Sequence, residues 1–470
     1  MNTHKIENIL DFCFYFDKDN YNYENRNSYY LFWSNFHYNW IRTSETGKDI
    51  LFMLDGKTCL STIITKLCDE YNIPQEIIEK DAIQFCLEGL KRELIFKTKY
   101  DCHFPVKETG ILELFLNITN YCNKECVYCY NNSSKNIDQS MFMSLSDVEK
   151  YLSHFFPNRE ALNTTIYLSG GEPLAHPEII EILELVDSFK VGRIVIWTNG
   201  TYLTKELTQQ LLRFNLSIYL SIDSAEEVIN DRIRGKDSYK DAINAAKLCS
   251  LYSIDYVFTP TVTKYNLVNI DKLLDLVEEY KAKGILINTR ILEDINGNDL
   301  SDHFRCDKNM YVENINLLFK KASILISWRN TKSRKDNMIR VMTEREICLN
   351  SIVYIKNKEN CGAGINRLNI DVNGNVYPCR VLHQEKYAMG SVVHLKNNLY
   401  DNLPSYLKKF DTCDTCKAQI FCLGGCKGDI LSRIKLKEGT LDEYCTMKRT
   451  NTFINLWTPI LLNESIEDTE

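Results

Sequence analysis

Three cysteines, Cys122, Cys126 and Cys129, stand as C-x3-C-x2-C in the run ITNYCNKECVYCYN. Thiols this close in sequence suit a metal centre, because disulfides are rare in a cytosolic chain. Three thiolates are one short of the four that a 4Fe-4S cluster normally receives, so one iron would stay open to a further ligand. A zinc site borrowing its fourth donor is the alternative, although zinc motifs favour C-x2-C pairs and no histidine lies close in sequence. A second constellation comprises Cys361, Cys379, Cys413, Cys416, Cys422, Cys426 and Cys445, with Asp371-Val372-Asn373-Gly374 reading as a hairpin turn between its first two members. Two complete cubanes need eight thiolates; seven leave an open iron or an outside donor, for which Cys348 is nearest. Zinc is the alternative here too, and iron counting separates the two. Of the 18 cysteines, Cys13, Cys59, Cys68, Cys86, Cys102, Cys249 and Cys306 are scattered singly and read as small buried hydrophobes.

The elements that must position these residues begin at residue 111, where apolar strands alternate with amphipathic helical stretches. Strands read at 111–119, 165–168, 193–198, 216–222, 256–262 and 284–290, with helical runs such as PEIIEILELVDSF and LVNIDKLLDLVEEYKAK between them. About six parallel βα units follow, forming an open sheet or an incomplete barrel. In either architecture ligands gather at the carboxyl ends of the strands. The unusual residues fall there: the cysteines after the first strand, Gly170 to Pro173 after the second, Asn199 after the third, Ser221 and Asp223 at the fourth. The first hundred residues carry a separate pattern. An aromatic opening (YYLFWSNFHYNW) precedes helices at 60–68 and 83–90, a turn at Asp55-Gly56 and a short strand at 94–96, which reads as a winged-helix-like module. It has no basic recognition face, so peptide or protein is a better partner for it than DNA.

The cysteine motif, with an aromatic (Tyr128) just before its third cysteine, resembles that of the radical S-adenosylmethionine superfamily. The resemblance implies that the open iron chelates the methionyl amine and carboxylate of S-adenosylmethionine, and that reductive cleavage yields a radical that abstracts hydrogen from the substrate. Gly170-Gly171-Glu172-Pro173 is similar to the GGEP motif that meets the methionyl amine, and glycines permit close backbone approach. By the same resemblance Asn199, Ser221 and Asp223 are ribose contacts and Arg234 pairs with the methionyl carboxylate, for which a guanidinium fork is apt. The later cysteines resemble the SPASM extension with its auxiliary 4Fe-4S clusters. Its interleaved ligation implies Cys361, Cys379 and Cys426 on one cluster and Cys413, Cys416, Cys422 and Cys445 on another, with Cys348 departing from the commonest upstream spacing. The first hundred residues resemble the precursor-recognition element of ribosomal-peptide maturases, which binds a leader peptide by β-augmentation.

Composition sets the outer limits. A chain of 470 residues with 44% hydrophobic and 25% charged residues is globular and longer than one core. Its net charge of −7 favours neither nucleic acid nor anionic membrane, and no segment reads as a signal or a membrane span, so the cytoplasm is expected. The expected organisation is a winged-helix-like module (1–103), a partial (β/α)6 TIM-like barrel (110–300), a helical bridge (301–347), a cysteine-rich iron-sulfur domain (348–450) and a tail (451–470). The expected activity is that of a radical peptide maturase installing a cysteine thioether, with a leader-bearing precursor peptide and an electron donor such as flavodoxin or ferredoxin as partners. A carbon-carbon crosslink, oxidative decarboxylation or sulfatase-type oxidation is the second enzymatic reading. A non-catalytic electron-transfer or peptide-binding protein is the reading from another class.

Overall fold

The computed structural model describes residues 9–99, 110–133, 142–322, 340–343, 362–395 and 399–402, apart from 27, 35–38, 92, 289–290, 292, 308, 312, 316 and 319. They divide into two compact units, the first holding residues 9–99 and the second the described residues from 110 on. Among the described residues no helix is long and apolar enough to cross a membrane.

In the first unit the aromatic opening forms strands. β1 (Asn22–Arg26), β2 (Tyr29–Ser34) and β3 (Asn39–Ser44) pair antiparallel in that order. Three helices follow where the sequence pattern indicated two: α1 (Glu45–Met53), α2 (Leu60–Tyr71) and α3 (Gln75–Lys91). The missed helix, α1, is short but capped, since the Ser44 side chain accepts from the Gly47 amide at 3.3 Å, and it buries Ile50 and Leu51. The turn at Asp55-Gly56 forms as read: Asp55 Oδ1 accepts from the Lys57 and Thr58 amides and Gly56 takes φ +77°. The strand expected at 94–96 reduces to one antiparallel bridge, in which Phe96 and Tyr15 exchange two backbone hydrogen bonds of 2.9 Å. Phe14, Phe32, Leu51, Leu60, Ile63 and Leu67 fill the core between sheet and helices.

The second unit is a mixed α/β fold built on a parallel sheet. β4 (Glu113–Thr119), β5 (Thr165–Gly170), β6 (Arg193–Thr198), β7 (Leu216–Leu220), β8 (Asp255–Phe258) and β9 (Gly284–Ile287) lie side by side in chain order. Between them run α4 (Leu145–Phe155), α5 (Ile179–Ser188), α6 (Lys205–Leu211), α7 (Glu227–Arg234), α8 (Ser238–Leu251) and α9 (Leu273–Tyr280). Ser144 and Thr204 cap α4 and α6 by accepting from amides three residues on. The last three strands end earlier than read, and β8 stops before Pro260, which has no amide to continue the ladder.

Two additions extend this sheet. Within the segment read as a helical bridge, β10 (Arg340–Thr343) pairs parallel with β9. At the opposite edge β11 (Arg367–Ile370) pairs parallel with β4, and β12 (Asn375–Tyr377) and β13 (Gly390–Ser391) follow antiparallel. The β11–β12 turn is the hairpin expected at Asp371 to Gly374, with Asp371 Oδ1 accepting from the Asn373 and Asn375 amides. Cys102, Cys348, Cys361, Cys413, Cys416, Cys422, Cys426, Cys445 and the tail 451–470 lie outside the described residues.

Candidate active site

Period-two alternation divides each strand of the second unit between two environments. Leu114, Leu116, Ile166, Leu168, Ile194, Ile196, Ile218 and Leu220 join the large core under the helices. Phe115, Tyr167, Val195, Tyr219, Val257 and Leu286 form a separate apolar cluster, with Phe115 and Tyr167 stacked at 4.2 Å. Two residues further along the same faces come Asn117, Ser169, Trp197, Ser221, Thr259 and Asn288. The sheet therefore presents an apolar plug and, at its carboxyl end, a polar layer. Ser169, Trp197, Ser221 and Asn288 line a cleft of about 900 Å³ there, counting the solvent space at its mouth.

Cys122, Cys126 and Cys129 line the same cleft, together with Tyr128, Gly170, Gly171, Asn199 and Arg234. Their loop is aimed by an irregularity in register between Asn117 and Thr119 at the end of β4. The two glycines then let β5 close onto it. The Gly171 amide donates to the Thr119 carbonyl and the Glu172 amide to the Tyr121 carbonyl, each at 2.7 Å. Gly170 has φ +122°, and a Cβ on Gly171 would lie 2.0 Å from the Tyr121 carbonyl oxygen. On the other side α7 grips the loop: the Val127 amide donates to the Ile233 carbonyl at 2.9 Å and the Cys126 thiol to the Arg234 carbonyl at 3.8 Å. Lys124, half-way along the loop, pairs with Asp241 of α8 at 2.7 Å.

The other expected contacts separate into residues that face the cleft and residues that brace it. Asn199 is at the cleft, its Nδ2 donating to Asn123 Oδ1 at 2.9 Å and approaching Cys122 Sγ at 3.8 Å. Glu172 is fully buried and accepts from Thr198 Oγ1 at 2.6 Å, the Asn199 amide at 2.7 Å and the Leu174 amide at 3.0 Å, so it ties the β5 turn to the β6 turn. Burial pushes its carboxyl up to about 7. Pro173 is buried beside it and opens a short turn of helix. Asp223, also fully buried, accepts from Tyr128 Oη at 2.5 Å, Arg234 Nη1 at 3.2 Å and the Thr261 amide at 2.8 Å. Neither Glu172, Pro173 nor Asp223 is among the residues lining the cleft.

Arg234 does line it, and its buried Nε has no hydrogen-bond partner. Removing this guanidinium leaves the Asp223 carboxylate buried without its counter-charge. Arg234→Met is expected to destabilise the protein by about 3–5 kcal/mol, with part recovered when Asp223→Asn is added. Denaturant unfolding of the two single variants and the double variant measures the coupling.

The donor set fits an iron-sulfur cluster. Cys122, Cys126 and Cys129 bring three thiols to one cleft. They supply the three thiolates that leave one iron of a 4Fe-4S cluster open. Burial pushes the Cys122 thiol up to about 12 and Cys126 up to about 11, so cluster assembly must displace protons.

Several residues around the cleft were not singled out from sequence: Lys124, Trp197, Thr261, Asn288 and Arg380. Trp197 was legible, since it stands two residues after Val195 on the inward face. Arg380 was not, because it reaches the cleft only through the pairing of β11 with β4; its guanidinium lies 4.6 Å from the Trp197 ring centre. Nearby, buried Cys379 makes a bridge with Leu382. His383 Nε2 meets the Tyr130 carbonyl at 3.2 Å, and the Ile295 amide donates to the same oxygen at 2.7 Å. Burial pushes His383 down to about 4. The unfolded chain takes up this proton near pH 6.5, which the folded one refuses until about pH 4. The stability from burying the neutral ring is therefore whole above pH 6.5, is lost as pH falls towards 4, and amounts to roughly 3 kcal/mol. His383→Gln is expected to flatten the decline of the thermal midpoint across that window.

Residues 116–277 match the Radical SAM superfamily, and residues 37–95 match Coenzyme PQQ synthesis protein D (PqqD). The antilisterial bacteriocin subtilosin biosynthesis protein AlbA of Bacillus subtilis is 24% identical over 419 residues, covering 83% of this chain and 85% of that protein. Mycofactocin maturase MftC of Mycobacterium ulcerans is 23% identical over 322 residues, covering 66% of this chain and 81% of that protein. Among solved structures, native anSMEcpe with bound AdoMet and Cp18Cys peptide has a TM-score of 0.56 at 20% identity, over 77% of this chain and 100% of that one. Streptococcus suis SuiB bound to S-adenosylmethionine has a TM-score of 0.50 at 16% identity, over 88% of this chain and 96% of that one. These structural likenesses are of fold. The superfamily match spans the strands that carry the cysteine loop and the glycine turn, which is consistent with a radical SAM enzyme whose first unit holds a segment similar to PqqD.

Proposed function

We propose that this enzyme is a peptide maturase that binds a ribosomally made precursor through its leader and installs a radical-derived crosslink, a cysteine thioether to carbon. The superfamily match implies a 4Fe-4S cluster and S-adenosylmethionine. The observation that carries the reading is the union in one chain of a three-cysteine cleft with a PqqD-type segment. Two relatives named for bacteriocin biosynthesis and for mycofactocin maturation support it.

In this reading Cys122, Cys126 and Cys129 hold the cluster, and Gly170, Gly171, Asn199, Ser221 and Arg234 meet the cosubstrate. When bound, the cluster and cosubstrate supply the one-electron chemistry that removes a hydrogen atom from the peptide. The chain's own residues do the positioning. Tyr128 and Asp223 hold the Arg234 fork in place, and Glu172 locks the turn bearing Asn199 against the turn bearing Gly171. The Phe115–Tyr167 plug closes the floor against water, and Trp197 with Arg380 forms one wall. Residues 1–103 act as a winged-helix-like leader module. The later cysteines form a SPASM domain with two auxiliary clusters, Cys361, Cys379 and Cys426 on one, Cys413, Cys416, Cys422 and Cys445 on the other, and Cys348 as the outside donor. A flavodoxin or ferredoxin supplies the electron.

The test is incubation of the reconstituted enzyme, S-adenosylmethionine and reductant with a cysteine-bearing peptide encoded beside its gene. The expected product is two hydrogens lighter and has one cysteine that no longer alkylates after reduction. A larger mass loss would indicate decarboxylation. Tight leader binding with an unchanged mass would favour a non-catalytic peptide-binding role.

A further inference from the structure

Cys13 and Cys59, which read from sequence as isolated buried hydrophobes, face each other in the first unit. Their Sγ atoms lie 3.1 Å apart although 46 residues separate them in the chain. That is closer than unbonded sulfurs ordinarily pack and about 1 Å beyond a disulfide bond. Backbone contacts on both sides hold the approach. The Phe12 carbonyl accepts from the Leu60 amide at 3.0 Å, and the Phe14 carbonyl from the Gly56 amide at 2.9 Å, so the residues flanking Cys13 are fastened to the segment holding Cys59. Cys59 itself stands at the start of α2, where its carbonyl accepts from the Thr62 and Ile63 amides. Both thiols are half-buried, unlike Cys86 and Cys249, which are sealed in their cores. A small molecule can therefore reach them.

We propose that Cys13 and Cys59 form a dithiol–disulfide couple, a modification site whose co-substrate is a low-molecular-weight disulfide such as glutathione disulfide. One thiolate attacks the small disulfide, breaking its S–S bond, forming a mixed disulfide and releasing one small thiol. The second thiolate displaces the other small thiol. Two protein S–H bonds are lost, one protein S–S bond forms, and the two electrons reduce the small disulfide to two thiols. The bond closes a loop containing β1, β2, β3 and α1, the whole sheet of this unit. Closure constrains the unfolded chain, so the oxidised unit resists unfolding more than the reduced one. The hydrogen bond to Cys59 raises the Cys13 thiol, which lowers the fraction of thiolate available to attack the small disulfide.

The test uses the full-length reconstituted protein, equilibrated anaerobically in stepped ratios of glutathione to glutathione disulfide. Samples are acid-quenched, alkylated and mapped by mass spectrometry after trypsin without reduction. The expected result is a linked pair of peptides 6–18 and 58–66, two hydrogens lighter than their sum, rising in a single two-electron transition. In Cys13→Ser the link disappears and Cys59 is found as a mixed disulfide with glutathione. Recovery of both wild-type cysteines as separately alkylated peptides throughout the titration overturns the assignment. So does capture of Cys59 by another cysteine in preference to Cys13. Both readings are made on the wild-type chain, so they stand whether or not the variant folds.

Discussion

Replacing Gly171 with alanine is expected to lower stability by about 3 kcal/mol or more and to strip the cluster loop of its iron, because overpacking against rigid atoms is costly. The new Cβ would lie 2.0 Å from the Tyr121 carbonyl oxygen and 2.5 Å from its carbon. These are backbone atoms, so no rotamer change relieves the clash. Tyr121 must move, and with it Cys122, the next residue. Gly170→Ala meets the Thr119 carbonyl oxygen at 2.1 Å and in addition a φ of +122°, so it should be at least as damaging. Thermal midpoint and iron content of the purified variants measure both effects. A Gly171→Ala protein with wild-type iron and stability would show that the turn does not hold the cysteine loop.

Cys126→Ala is expected to abolish cleavage of S-adenosylmethionine by at least about a thousandfold, since the cofactor rather than any side chain carries the chemistry. Iron bound at this site should vanish with it. Asn199→Ala offers the contrast. Its amide approaches Cys122 Sγ without being a ligand, so cluster retention should weaken by only about 10–100-fold, as for other groups that orient a metal ligand. Iron analysis with electron paramagnetic resonance of the reduced protein distinguishes loss of a ligand from loss of an orienting group.

The parts of this fold that sequence revealed are those governed by local pattern. The six central strands were legible because inward and outward faces alternate through Phe115, Tyr167 and Val195 on one side and Leu114, Ile166 and Ile194 on the other. The hairpin turn at Asp371 was legible because an aspartate side chain and a glycine mark it chemically. What escaped depended on pairing between distant segments. β11 joins β4 across some 250 residues, and only that pairing brings Arg380 beside Trp197. The Cys13–Cys59 contact likewise follows from Phe12 and Phe14 bonding to the segment before α2, which no spacing reveals.

At the site, residue types indicated the neighbourhood but not the division of labour. Asp223 and Arg234 were both expected to touch the cosubstrate. Burial and hydrogen bonding give Asp223 to Arg234 and Tyr128, leaving Arg234 as the group at the cleft. Glu172 was expected at the cosubstrate through the backbone of a GGEP-like motif, and its side chain is engaged in three internal hydrogen bonds.

The most direct test of the central claim is anaerobic incubation of the reconstituted wild-type protein with S-adenosylmethionine and a strong reductant, followed by chromatographic assay of nucleoside products. Accumulation of 5'-deoxyadenosine, dependent on Cys122, Cys126 and Cys129 together, is the predicted result. Intact S-adenosylmethionine in a protein carrying a full iron complement at those three cysteines would contradict the account.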